Sequence, residues 1–284
     1  MTEPAADLRT LPAELAERAR SMADGELEPV VPRAAATVIL VRDGRTGSGL
    51  EVYLLRRVVS MAFAAGMHVF PGGSVDARDA DLPERAWAGP PAAAWARRLN
   101  ADDALARALV CAAVRETFEE SGVLLAGTSQ TDVVADTRGA DWEAARRSLL
   151  DRSLSLAGLL ERRRLVLRSD LLRPWAHWIT PEVEPRRYDT RFFVAALPAG
   201  QRTREVGGEA DRVAWLSPEE ALSARARGEV GLLPPTAVTL SELAPYAHVG
   251  AVLEAAAERD LRPRLPRVEV DAAGARIVLD EPGR

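Results

Sequence analysis

Short apolar runs separated by turn residues mark the first third of the chain. Residues 35–42, Ala35-Ala36-Thr37-Val38-Ile39-Leu40-Val41-Arg42, predict a strand. Asp43-Gly44 and Gly47-Ser48-Gly49 predict the turn after it, and residues 50–56 predict the returning strand. A third strand is expected over 67–70, running into Pro71-Gly72-Gly73. The pattern then changes to helical spacing. Ala92–Leu99 predicts one helix, and a second begins at Ala101 with Asn100 as its expected cap. On the second helix Val110, Cys111, Val114 and Phe118 form an apolar stripe, and Gly122 is its expected left-handed end. Residues 127–173 read as helical, with clear spacing over Trp142–Arg152 and Leu154–Arg164. Strands are expected at 175–180, 191–197 and 210–216. Ser217-Pro218-Glu219-Glu220 is a helix start, and 235–258 predicts a second helical stretch broken near Pro245. A short helix over 12–23 and a closing hairpin at 268–270 and 276–279 complete an α/β pattern.

The polar side of the helix ending at Gly122 carries Glu116, Glu119 and Glu120. At roughly 100° per residue they share one face, within an arc of about 100°. Like charges at this spacing repel, and a hard divalent cation with oxygen ligands removes that cost. The bland alternative is a solvated acidic helix face. The upstream Gly66-Met67-His68-Val69-Phe70-Pro71-Gly72-Gly73 tips the balance, because a strand ending in two glycines lets backbone approach a ligand closely.

Pro71-Gly72-Gly73 followed by Arg115-Glu116-x-x-Glu119-Glu120-x-Gly122-Val123 resembles the Nudix box, G-x5-E-x7-R-E-U-x-E-E-x-G-U with U a bulky apolar residue. Gly73 matches the first glycine, Val123 the last U, and Thr117 departs slightly at the first U. The larger departure is an insertion, roughly residues 77–104, between the acidic position and the Arg-Glu pair. Asp79 or Glu84 is left to stand in for the box's first glutamate. The interruption, Trp175-Ala176-His177-Trp178-Ile179-Thr180-Pro181 and Arg187-Tyr188-Asp189-Thr190-Arg191-Phe192-Phe193 resemble the branch that contains the peroxisomal coenzyme A diphosphatases of animals.

The resemblance implies an α/β/α sandwich with a mixed sheet and helical insertions. It implies hydrolysis of a diphosphate bond in a nucleoside diphosphate derivative, with Mg²⁺ or Mn²⁺ as cofactor. Glu116, Glu119, Glu120 and the Gly72 carbonyl are the expected metal ligands, and Arg115 is expected to orient a carboxylate. The general base is Glu119 or a glutamate from a distant loop, where Glu209, after Gly207-Gly208, leads Glu205. Coenzyme A or acyl-CoA is the first substrate expectation, with Arg56, Phe70, Gly73, Arg187 and Arg191 as candidate substrate contacts. The coenzyme A signature expects a basic residue near position 61 or 62, where this chain has the apolar Met61-Ala62-Phe63-Ala64-Ala65. That keeps ADP-ribose, NADH or another dinucleotide open as substrate. A non-catalytic ligand sensor is the remaining alternative.

Composition narrows this picture. All 37 basic residues are arginine, so no lysine can act in catalysis, and a net charge of −5 without a basic stripe argues against nucleic acid as a partner. Cys111 is the single cysteine and lies on the apolar stripe, so it reads as core. His68, His177 and His248 show no metal-ligand spacing. The N-terminus lacks a leader pattern, the C-terminus lacks a peroxisomal address, and no apolar run approaches a bilayer span, so a cytoplasmic protein is expected. The expected partner is a small-molecule nucleoside diphosphate derivative, with neither nucleic acid nor membrane; a homodimer is left open. The expected organisation is an N-terminal arm over 1–32, a domain over 33–258 with a helical addition at 127–173, and a hairpin and tail over 259–284.

Overall fold

The computed structural model describes residues 11–44, 49–57, 66–204, 210–271 and 274–278. Helix α1 (Ala13–Ala23) precedes four strands: β1 (Arg33–Asp43), β2 (Leu50–Arg57), β3 (Met67–Val69) and β4 (Gly72–Ser74). The insertion then contributes two 3-10 turns, Ala77–Asp81 and Glu84–Ala86, with β5 (Trp87–Ala88) and α2 (Ala92–Leu99). The long helix α3 (Asp103–Ser121) is followed by β6 (Ala126–Gly127), α4 (Ala140–Leu150), α5 (Leu156–Arg163) and β7 (Val166–Arg168). The chain returns to the sheet with β8 (Arg173–Ile179), β9 (Tyr188–Ala196) and β10 (Ala210–Leu216). Helices α6 (Pro218–Ala226), α7 (Pro234–Leu243) and α8 (Val249–Ala255), with β11 (Gly231–Leu232) between α6 and α7, lead to the hairpin β12 (Arg267–Asp271) and β13 (Gly274–Val278).

The main sheet runs β11-β3-β2-β1-β9-β8, with β10 also on β2 and β4 also on β1. β1 pairs parallel with β9 and antiparallel with β2 and β4, so the sheet is mixed. β1 reads as a continuous apolar run because both faces are covered. Val38 and Leu40 join a core with Phe193, α2 and α3, whereas Ile39 and Val41 join another with Trp175, Val194 and α6 to α8. The result is the expected α/β/α sandwich. A capping box at Ser217 and Glu220 starts α6, as its sequence predicts.

Several expectations are corrected. Asn100 does not cap α3; it ends α2 in the left-handed conformation (φ 50°), and Asp102 accepts the Leu105 amide as the α3 N-cap. Gly72 and Gly73 are not a bare turn but pair with Thr37 and Ala36. The addition is not helical before Ala140; β5 of the insertion and β6 of the addition flank β7 in a separate three-stranded sheet. The two ends of the chain also pack together. Leu11, Ala16 and Ala19 share a small core with Ala275 and Val183. Among the described residues, no helix is long and apolar enough to cross a membrane.

Candidate active site

Helix α3 lies against β1 and β4, and its buried residues include both the apolar stripe and the polar residues Thr117, Glu119 and Glu120. Burial pushes the Cys111 thiol up to about 12, which fits a core residue and not a nucleophile. Gly122 ends the helix in the left-handed region (φ 75°), where a β-carbon would be strained.

Arg115 is the hub of the site. Its Nε and Nη2 donate to the two Asp79 carboxylate oxygens, each at 2.9 Å, in a bidentate pair. Its Nη1 donates to Glu116 at 2.6 Å and to Glu119 at 3.3 Å, and Nη2 also reaches the Ser74 carbonyl at 3.0 Å. Asp79 is 3% exposed, and its carboxylate also accepts the Asp76 amide inside a capping box. Glu84 is exposed on the next turn. Of the two acids that the sequence leaves open, Asp79 is the one that meets Arg115. The sequence left that choice open because position 79 holds Asp where the box has Glu, and the insertion separates it from Arg115 by 36 positions (115 − 79).

The two glycines fit this cluster closely. The Gly72 amide donates to Glu120 at 2.7 Å. A β-carbon on Gly73 would stand 2.5 Å from Glu116 Oε1, and one on Gly72 would stand 2.6 Å from the Ala36 carbonyl oxygen. At Gly72 a side chain would meet the backbone of β1, and at Gly73 it would push the Glu116 carboxylate from its place.

Three carboxylates thus share one guanidinium in a largely buried site. Burial opposes the charge on Arg115, but Asp79, Glu116 and Glu119 together raise its pKa. Desolvation, followed by the neighbouring Glu116 charge, pushes Glu119 up to about 7. Among the described residues, no three His, Cys, Asp or Glu side chains converge as a ready metal-holding group. Glu120 turns to Gly72, while Glu116 and Glu119 lean on Arg115. The donor chemistry still fits a hard divalent cation. The donors are all oxygen, they sit on one helix face, and burial beside the Glu116 charge raises the Glu119 pKa, so further positive charge there would favour its carboxylate.

Other expected contacts are spent inside the fold. Phe70 is 3% exposed, packed in the core with Leu54 and Leu232. Arg187 donates to the Thr180 and Val30 carbonyls and fastens the chain before β1. Arg191 is buried against His177, Asp189 and the Leu99 carbonyl. Trp175 is a core residue hydrogen-bonded to Glu242, and His248 caps α8. Arg56 is half-buried on β2 opposite His68 of β3. Glu205 and Glu209 lie outside the described residues.

A carboxylate helix closed by a Gly-Gly strand on a mixed sheet defines a Nudix-type domain. Residues 91–243, just over half of the chain, match the model of the NUDT19 Nudix domain, and the chain belongs to that family. The match includes α3 but begins after Gly72, Gly73 and Asp79. The acyl-coenzyme A diphosphatase NUDT19 of Xenopus laevis is 25% identical over 256 residues, covering 75% of this chain and 65% of that protein. The human protein of the same name is 29% identical over 243 residues, covering 71% of this chain and 62% of its own length. The chain thus spans a little under two thirds of the length of these curated relatives. A NUDIX hydrolase from Alicyclobacillus acidocaldarius has a crystal structure that superposes with a TM-score of 0.67 at 28% identity, over 79% of this chain and 96% of that one.

Proposed function

We propose that the chain is a Mg²⁺- or Mn²⁺-dependent diphosphatase that cleaves the diphosphate bond of a nucleoside diphosphate derivative, with coenzyme A or acyl-CoA as the first substrate class. The observation that carries this reading is the buried cluster in which Asp79, Glu116 and Glu119 share Arg115 while Glu120 is held on the Gly72 amide. The names of the curated relatives support the substrate class. Glu116, Glu119 and Glu120 would hold the cation, with the Gly72 carbonyl as a further ligand. When bound, the cation offsets the negative charge of the diphosphate and acidifies water. The chain's own residues do the rest. Arg115 orients Glu116 and Glu119, and Asp79 fixes Arg115 by two parallel hydrogen bonds. Glu119, on the face of α3 that holds the other acids, is the first candidate to take the proton of an attacking water. Glu209 remains the alternative base from the sequence.

A second reading keeps the chemistry and changes the substrate to ADP-ribose, NADH or another dinucleotide. It is favoured by the apolar stretch 61–65 and by the internal engagement of Arg187 and Arg191, which leaves the coenzyme A phosphate without those two contacts. A product assay decides between the readings. Purified protein with Mg²⁺ or Mn²⁺ is given coenzyme A, acetyl-CoA, ADP-ribose, NADH and diadenosine polyphosphates, with Glu120→Gln as control. Release of 3′,5′-ADP and phosphopantetheine supports the first reading. AMP from ADP-ribose or NADH selects the second. Wild-type turnover by Glu120→Gln would remove the carboxylate cluster from the mechanism.

A further inference from the structure

We propose that the addition over residues 127–173, together with Arg204, forms a collar that fixes the last turn of α3, and that Arg146 within the addition is a positioning residue for Glu119 and Glu120. This rests on the functional reading above. The last four carbonyls of a helix have no partner within the helix, and the last turn is where helices fray. Glu119 and Glu120 sit on that turn. Each of its carbonyls has a designated donor. The Phe118 carbonyl accepts the Gly122 amide at 2.9 Å, and that of Glu119 accepts Arg146 Nη1 at 2.7 Å. The Glu120 carbonyl faces the Tyr53 hydroxyl at 3.4 Å, and that of Ser121 accepts the Arg204 amide at 3.0 Å. Thr137 then donates its hydroxyl to the Gly122 carbonyl at 2.7 Å.

Two arms of this collar are tied together by Glu143 of α4. Its carboxylate accepts two bonds from Arg146, at 2.9 and 2.8 Å, and one from Arg204 at 2.7 Å. Arg204 also donates to the Thr137 carbonyl and lies against Gly122, where a β-carbon would stand 2.7 Å from its Nε. Terminating α3 requires none of this, since Gly122 already does so through the Phe118 carbonyl. Burying Arg146 to 4% exposure carries a desolvation cost that helix termination alone does not explain. What the buried guanidinium adds is a positive charge and a directed donor on the backbone of Glu119. A carboxylate placed this way keeps its geometry without rearranging at each turnover.

The test compares Arg146→Met and Arg146→Lys with Leu159→Ala, a core truncation in α5 that does not touch the carbonyls of α3. Three quantities are read on the full chain: hydrogen exchange of the 118–124 amides, Mn²⁺ affinity from the paramagnetic resonance of free Mn²⁺, and kcat with KM. Arg146→Met should speed exchange, weaken Mn²⁺ about tenfold and lower kcat about tenfold, with KM nearly unchanged. Arg146→Lys should recover part of each loss. Leu159→Ala should lower the melting temperature and leave the other readouts near wild type. Unchanged exchange and Mn²⁺ affinity in Arg146→Met overturn the inference alone. So does a Leu159→Ala variant that reproduces the whole pattern. A wild-type protein that neither binds Mn²⁺ nor cleaves any diphosphate overturns the functional reading and this inference with it.

Discussion

Two buried ionic clusters flank the sheet, and they are built on different principles. At the Asp189 cluster, on β8 and β9, the Arg191 guanidinium meets one half-buried carboxylate directly, and His177 Nε2 touches both groups. Burial alone would raise the Asp189 pKa, but its hydrogen bond with His177 and the charge of Arg191 hold it down. At the α3 cluster one guanidinium serves Asp79, Glu116 and Glu119, and burial together with Glu116 pushes the Glu119 carboxyl up. A cluster matched one to one can be explained by folding alone. A cluster with more carboxylates than its arginine can satisfy costs stability, and such a cost persists where a ligand repays it.

The largest expected effect tests the crowded cluster directly. Glu120→Gln should lower turnover by about a hundredfold or more while the melting curve stays cooperative. Asp79→Asn comes next. It removes the charge that holds Arg115 from the far side, and activity or metal affinity should fall about 10- to 100-fold. Wild-type activity in Asp79→Asn would mean that the insertion contributes nothing to the site. Arg191→Met should do the opposite: it leaves Asp189 without its arginine, so urea unfolding should register a loss of about 3–5 kcal/mol. Its kcat per folded molecule should match wild type; a large drop would erase the distinction between the clusters.

The smallest effect lies at the collar. Arg146, followed by Arg147 and Arg204, lowers the Glu143 carboxyl from 4.5 to about 2, against burial acting the other way. Its stabilisation is therefore complete above about pH 4.5 and is lost as the pH falls toward 2. In Glu143→Gln that part of the acid dependence disappears, so the urea midpoints of variant and wild type should converge over this window. Parallel midpoints at every pH would remove Glu143 from the acid response.

Local signals made much of the fold legible. The β1 run, the Ala92–Leu99 helix, the Gly122 end of α3, the Ser217 capping box and the closing hairpin each depend on interactions within a few residues, and the sequence displays those directly. The candidate site was most legible on α3, because helical spacing alone puts Glu116, Glu119 and Glu120 on one face, and the paired glycines announced a close backbone approach. For Arg187 and Arg191 the sequence shows that an arginine is present but not which carbonyl or carboxylate takes its donors.

By itself, then, the sequence determined the longer strands and helices and the shared face of three carboxylates, since periods of two and of about 3.6 residues are properties of neighbouring positions. Tertiary structure decided what those carboxylates meet. It brings Asp79 across the insertion to Arg115, lays Gly72 and Gly73 between β1 and the glutamates, and sets Arg146 on the carbonyl of Glu119. Those partners are far apart in the chain, and only packing on the sheet determines which of many charged residues come together.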